Sequence, residues 1–79
     1  MMNLYVMYDT VAKEASPVNE AKNDAVAERQ FQHTLSTHQL PSDFILLRVG
    51  KINKETGRVT GCVPEEVKAN LDMEIEDDQ

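Results

Sequence analysis

The stretch D-F-I-L-L-R-V-G-K-I-N-K-E-T-G-R-V-T-G-C-V, Asp43 to Val63, decides the fold. Two runs rich in β-branched and aromatic residues flank N-K-E-T-G, a hairpin loop in which Gly57 can supply the left-handed position at the loop's end. A strand over Asp43 to Ile52 should therefore return antiparallel over Arg58 to Val63. Side chains alternate along a strand. With Ile52 opposite Arg58, the residues Ile45, Leu47 and Val49 share a face with Val59, Gly61 and Val63, and this face is expected to bury against a helix. The other face then shows Phe44, Leu46, Arg48, Arg58, Thr60 and Cys62. A bulge at Gly57 would invert the register of the second strand alone.

Toward the N-terminus, Leu4 to Tyr8 is apolar and aromatic and ends at Asp9-Thr10, which predicts a first strand from about Asn3 to Tyr8. It would add Tyr5 and Met7 to the second face. Residues 10 to 16 carry mixed signals. Pro17 forces an extended backbone at Ser16, so V-N-E-A-K can form a short edge strand. Asn23-Asp24 then starts a helix, because the Asn oxygen accepts from the free amides of the first turn and Asp24 sits at the positive end of the dipole. Ala27, Phe31 and Leu35 recur every four residues, giving an amphipathic helix to about Thr37 that Gln39-Leu40-Pro41 ends. Past Val63, Pro64-Glu65-Glu66-Val67 could open a short helix, with Pro in its first turn. The expectation is an α+β fold: a small antiparallel sheet of three or four strands with one amphipathic helix on one face, in the order β-β-α-β-β.

The 79 residues allow one small core, and a chain of this size buries only about 60% of its unfolded surface. Self-association would help such a domain, so a homodimer through the sheet or its edge is expected. One Cys excludes a disulfide scaffold, and Phe44 to Leu47, the longest apolar run, is too short to span a membrane. No signal peptide is visible, which points to a reducing cytosol.

Charge divides the chain after Val63. Residues 1 to 63 balance Asp9, Glu14, Glu20, Asp24, Glu28, Asp43 and Glu55 against Lys13, Lys22, Arg29, Arg48, Lys51, Lys54 and Arg58. Residues 64 to 79 set Glu65, Glu66, Asp72, Glu74, Glu76, Asp77 and Asp78 against Lys68, so the net charge of −6 belongs to an acidic C-terminal tail. A single domain over residues 1–63 followed by a tail over 64–79 is the expected organisation.

The hairpin has a local cation excess, and cations with flat side chains are what a single-stranded nucleic acid needs. Arg48, Lys51, Lys54 and Arg58 are the candidate phosphate ligands, and Phe44 or Tyr5 the candidate stacking platform. The alternative is that Phe44 belongs to the core or a dimer interface and the cations merely solubilise the hairpin. In the tail, Leu71, Met73 and Ile75 alternate with acids, the pattern of a strand added to a sheet edge in a second copy or a partner. The tail could equally be a solvated terminus, or compete with nucleic acid for the basic patch.

Catalysis is not expected. Ser16, Ser36 and Ser42 lack a nucleophile-elbow context, and Gly50, Gly57 and Gly61 form no phosphate loop. His33 and His38 are off the one-turn spacing that places two ligands on one helix face, so no metal and no cofactor is expected. Cys62 fits a small, half-buried filler.

Four segments taken together are distinctive: Y-D-T-V-A-K-E-A-S-P at 8–17, A-K-N-D-A-V-A-E-R-Q-F at 21–31, D-F-I-L-L-R-V-G-K-I-N at 43–53 and T-G-R-V at 56–59. In order and spacing the chain resembles the small non-structural protein of gokushoviruses, the single-stranded DNA phages of the Microviridae, from residue 3 to about residue 67. The pieces N-D-A-x-A-x-R-x-F and D-F-x-L-x-x-V-G carry most of the likeness. The resemblance implies a protein made in the host bacterial cytoplasm, absent from the mature virion, and acting at the stage of single-stranded DNA synthesis. It supplies no functional residues. Asn23, Asp24 and Arg29 match the pattern, and their economical role is the cap and first turns of the helix. Two functions follow as expectations: a replication accessory protein that binds single-stranded DNA weakly, or a homodimeric adaptor without DNA affinity that docks on the phage initiator, the procapsid or a host replication factor.

Overall fold

The computed structural model describes residues 1–37 and 41–67. Among these residues, five strands and one α-helix follow in the order β1 (Met2–Asp9), β2 (Glu14–Ala15), β3 (Asn19–Ala21), α1 (Asp24–Leu35), β4 (Phe44–Asn53) and β5 (Arg58–Glu66), with a 3-10 turn at Pro41–Asp43. The sheet is antiparallel throughout. Strand β1 lies between β4 on one side and the short β2 and β3 on the other, and β5 forms the far edge beyond β4. The α+β expectation holds, with β2 as an addition to the expected strands.

Local chemistry explains the elements. Asn23 caps α1 by accepting from the Val26 amide at 2.9 Å, and Asp24 occupies the first turn. The helix ends at Leu35, before the expected Thr37; the expected stop at Gln39-Leu40 lies outside the described residues. Replacing the cap, Asn23→Ala, should cost about 1 kcal/mol in chemical denaturation. Gly57 closes the β4–β5 loop at φ 79°, in the left-handed region where glycine meets no steric cost. The β1–β2 turn has no such glycine. There the Asp9 carboxylate accepts from the Val11 and Ala12 amides, both at 2.9 Å, and Lys13 takes φ 61°.

Two irregularities curl the sheet. Leu4 pairs with Gly50 and Tyr5 with Arg48, so Val49 is the extra residue of a bulge. On the other side, Gly50 pairs with Gly61 and Arg48 with Glu65, leaving Cys62, Val63 and Pro64 opposite Val49. Pro64 thus sits where the ladder is already interrupted, and its missing N–H costs no pairing there.

Three expectations need correction. Ile52 opposes Val59, not Arg58, and Asn53 opposes Arg58. Strand β5 runs past Val63 to Glu66, so no helix opens at Pro64; Val67 is buried, and its amide donates to the Leu46 carbonyl at 2.8 Å. Most consequentially, the helix covers the opposite face from the one expected. Its Ala27, with Val26 and Phe31, packs on Tyr5, Ala21, Leu46 and Val67. By alternation, Val6, Tyr8, Ile45 and Leu47 point away from it. On the covered face Arg48 finds two carboxylate partners, Asp24 in the first turn of α1 and Glu65 on β5. The expected tail strand around Leu71, Met73 and Ile75 lies outside the described residues.

Candidate nucleic-acid interface

Of the six proposed DNA-contacting residues, two are taken up by partners within the protein itself. Tyr5 is 2% exposed, too deep to stack a base. Its hydroxyl donates to Asp24 Oδ1 at 2.5 Å and accepts from Asn3 Nδ2 at 3.0 Å. Burial first, then the bond to Asp24, raises the phenol's pKa above its ordinary value.

Arg48 is the second. Its Nη1 lies 2.7 Å from Asp24 Oδ2, its Nη2 pairs with Glu65, and its side chain is 28% exposed. The bond to Asp24, followed by that carboxylate's charge, holds the guanidinium still more firmly in its charged form. Asp24 therefore joins helix, β1 and β4, and Glu65 ties β5 to the same guanidinium. This cation neutralises the protein's own acids. A phosphate would have to displace two carboxylates to reach it.

Phe44 is half-buried at the start of β4, opposite Asp9. Lys54 is exposed, and its ammonium bridges both oxygens of Glu20 at 2.8 and 2.9 Å. Lys51 and Arg58 are exposed near the hairpin end, and neither forms an ion pair among the described residues. The hairpin thus brings Lys51, Lys54 and Arg58 to the surface, as the sequence indicated, and removes Arg48 and Tyr5 into a structural cluster. Sequence reasoning missed the acids Asp24, Glu65 and Glu20 as partners. Only their sign was visible, because each lies 17 to 34 residues from the group it binds.

Cys62 is exposed rather than half-buried, with Sγ 3.7 Å from the Arg48 carbonyl. Among the described residues, no group of three or more His, Cys, Asp or Glu side chains could hold a metal ion. No described helix is long and apolar enough to cross a membrane.

The side of the sheet away from α1 is apolar. Leu4, Tyr8, Ile45, Leu47 and Ile52 are half-buried there, Val6 is buried among them, and Val59 is 58% exposed. A family model described as "Phage ORF5 protein" matches residues 2–73, which includes every strand and the helix. No curated protein and no solved structure matches the chain.

Proposed function

The chain belongs to the phage ORF5 protein family, and from that premise we propose a non-catalytic accessory protein of phage single-stranded DNA synthesis that binds single-stranded DNA weakly. It acts in the host bacterial cytoplasm and is left out of the mature virion. The observation that carries this reading is the hairpin end, where Lys51 and Arg58 stand exposed and without carboxylate partners among the described residues. Lys54 joins them when a phosphate displaces Glu20. Three cations on one hairpin suit weak, salt-sensitive contact with a backbone, and the acidic residues 68 to 79 limit it further by self-repulsion with the strand.

The test is fluorescence anisotropy of a labelled single-stranded oligonucleotide across a salt series, with a duplex control. Binding should saturate, favour the single strand and weaken with salt. In the variant Lys51→Ala/Arg58→Ala the log–log salt slope should shrink by about 1.4, from about 0.7 per phosphate contact removed. An unchanged slope in the folded variant discards this surface.

The apolar sheet face favours a second reading, in which the protein is a homodimeric adaptor that contacts the phage initiator, the procapsid or a host replication factor and has no DNA affinity. Contiguous apolar surface of this kind marks interaction sites. Absence of any binding at low salt, together with a dimer mass in solution, selects it.

A further inference from the structure

A cleft of about 180 Å³ opens between α1 and the β1–β3 side of the sheet. It exists because the helix presents the small Ala27 over Tyr5 and Leu46, one turn before the half-buried Phe31. The buried Tyr5 and Leu46 close the floor, and the half-buried Phe31 supplies the apolar, aromatic wall. Polar groups complete the lining: the carboxamides of Gln30 and Asn19, with the Ser16 and Thr34 hydroxyls, which bond to backbone. The Gln30 side chain is exposed and has no partner among the described residues, while Asn19 Nδ2 only reaches the Pro17 carbonyl at 3.5 Å. Glu20 also lines the cleft, and carries the Lys54 ammonium.

We propose that this cleft seats one pyrimidine base of a single strand, an inference that rests on the DNA reading above. Size is the first reason. An apolar cavity of about 150 Å³ accepts a benzene ring, so this one takes a single six-membered ring with its substituents and is tight for a fused purine. Chemistry is the second. A base needs an apolar slot for its faces and groups that both donate and accept for its edge, and two carboxamides in the lining of an aromatic-walled slot offer that pairing. Charge is the third. A phosphate flanking the seated base would meet Lys54, which exchanges Glu20 for it, so the hairpin cations and the cleft read one continuous strand.

The experiment compares the full chain's binding to an oligothymidylate and to an abasic strand with the same number of phosphates, at low salt. The thymine strand should bind about tenfold more tightly, and should shift the backbone amide resonances of Gln30 and Phe31, which the abasic strand leaves in place. Ala27→Leu fills the cleft and should abolish the difference while leaving the salt-dependent contact. Should that variant not fold, Gln30→Ala, on the exposed side of the helix, should still reduce the difference. Equal affinity for the two strands overturns the base seat and leaves the DNA reading standing. If neither strand binds, the DNA reading falls and takes the seat with it. Should deletion of residues 68–79 shift the same amides without DNA, the cleft belongs to the tail and the proposal is wrong.

Discussion

Gly50→Ala should lower the stability of the protein by about 2–3 kcal/mol, whereas Gly61→Ala, its direct cross-strand partner, should leave it unchanged or raise it by at most about 1 kcal/mol. A Cβ on Gly50 would lie 2.5 Å from the Thr60 carbonyl oxygen and 3.1 Å from Gly61 Cα. Both are backbone atoms of β5, so no side chain can rotate aside, and the strand itself must retreat. The retreat strains the Gly50–Gly61 and Lys51–Thr60 pairs and, beyond the bulge, the seating of Val67 in the core. A gain of about 0.4–1 kcal/mol from stiffening the unfolded chain offsets only part of this. At Gly61 the nearest atom to a new Cβ is the Val49 oxygen at 3.9 Å, an ordinary contact. For a chain of 79 residues the total stability is on the order of 4–12 kcal/mol, so the first substitution removes a large share. Urea melts of both variants provide the check. Equal, small effects would mean that β5 is loosely held and that its pairing contributes little.

How the hairpin was legible, and its facing was not, follows from the range of the interactions involved. The loop at 53–57, its glycine at positive φ, the Asn23 cap and the α1 start are decided by neighbours within a few residues, and composition displays them directly. Alternation also sorted β4 into two sets. It could not say which set the helix covers, because both are apolar: Phe44 and Leu46 on one side, Ile45 and Leu47 on the other. The Arg48–Asp24 pair belongs to the covered side, and its partners stand at a distance in sequence that no local pattern reveals. The same fact dissolved a third of the candidate DNA site. Tyr5 is buried and Arg48 is held, half-buried, between Asp24 and Glu65, while Lys51, Lys54 and Arg58 stand exposed on the hairpin. Strand β2 was missed for a related reason: Lys13 holds the left-handed position that Gly or Asn would have advertised.

Asp24→Ala should cost about 2–4 kcal/mol, more than any other single carboxylate among the described residues. The Tyr5 hydroxyl would keep the bond it accepts from Asn3 but lose the acceptor for its own proton, and an unsatisfied buried donor costs about 1–3 kcal/mol. Arg48 would keep Glu65 alone, a loss moderated by its partial exposure, and the first turn of α1 would lose a favourable charge worth about 0.3–1 kcal/mol. Removing the hydroxyl as well, in Asp24→Ala/Tyr5→Phe, should recover part of the loss, because no stranded donor remains. The hub also sets the alkaline behaviour. The folded pKa of Tyr5 is raised above its ordinary 10.0, so the folded state prefers the protonated phenol. That contribution is intact below pH 10.0 and is lost as pH rises through the folded value. Arg48 is shifted in the same direction from a higher starting point and stays charged throughout this range. Stability measured by urea from pH 9 to 11 should therefore fall in the wild type and fall less steeply in Tyr5→Phe. If the two alkaline limbs superimpose, Tyr5 is not the titrating element of the hub. If Asp24→Ala melts like the wild type at pH 7, the link from helix to sheet through Arg48 contributes nothing, and the covered face is held by Leu46, Ala27 and Val67 alone.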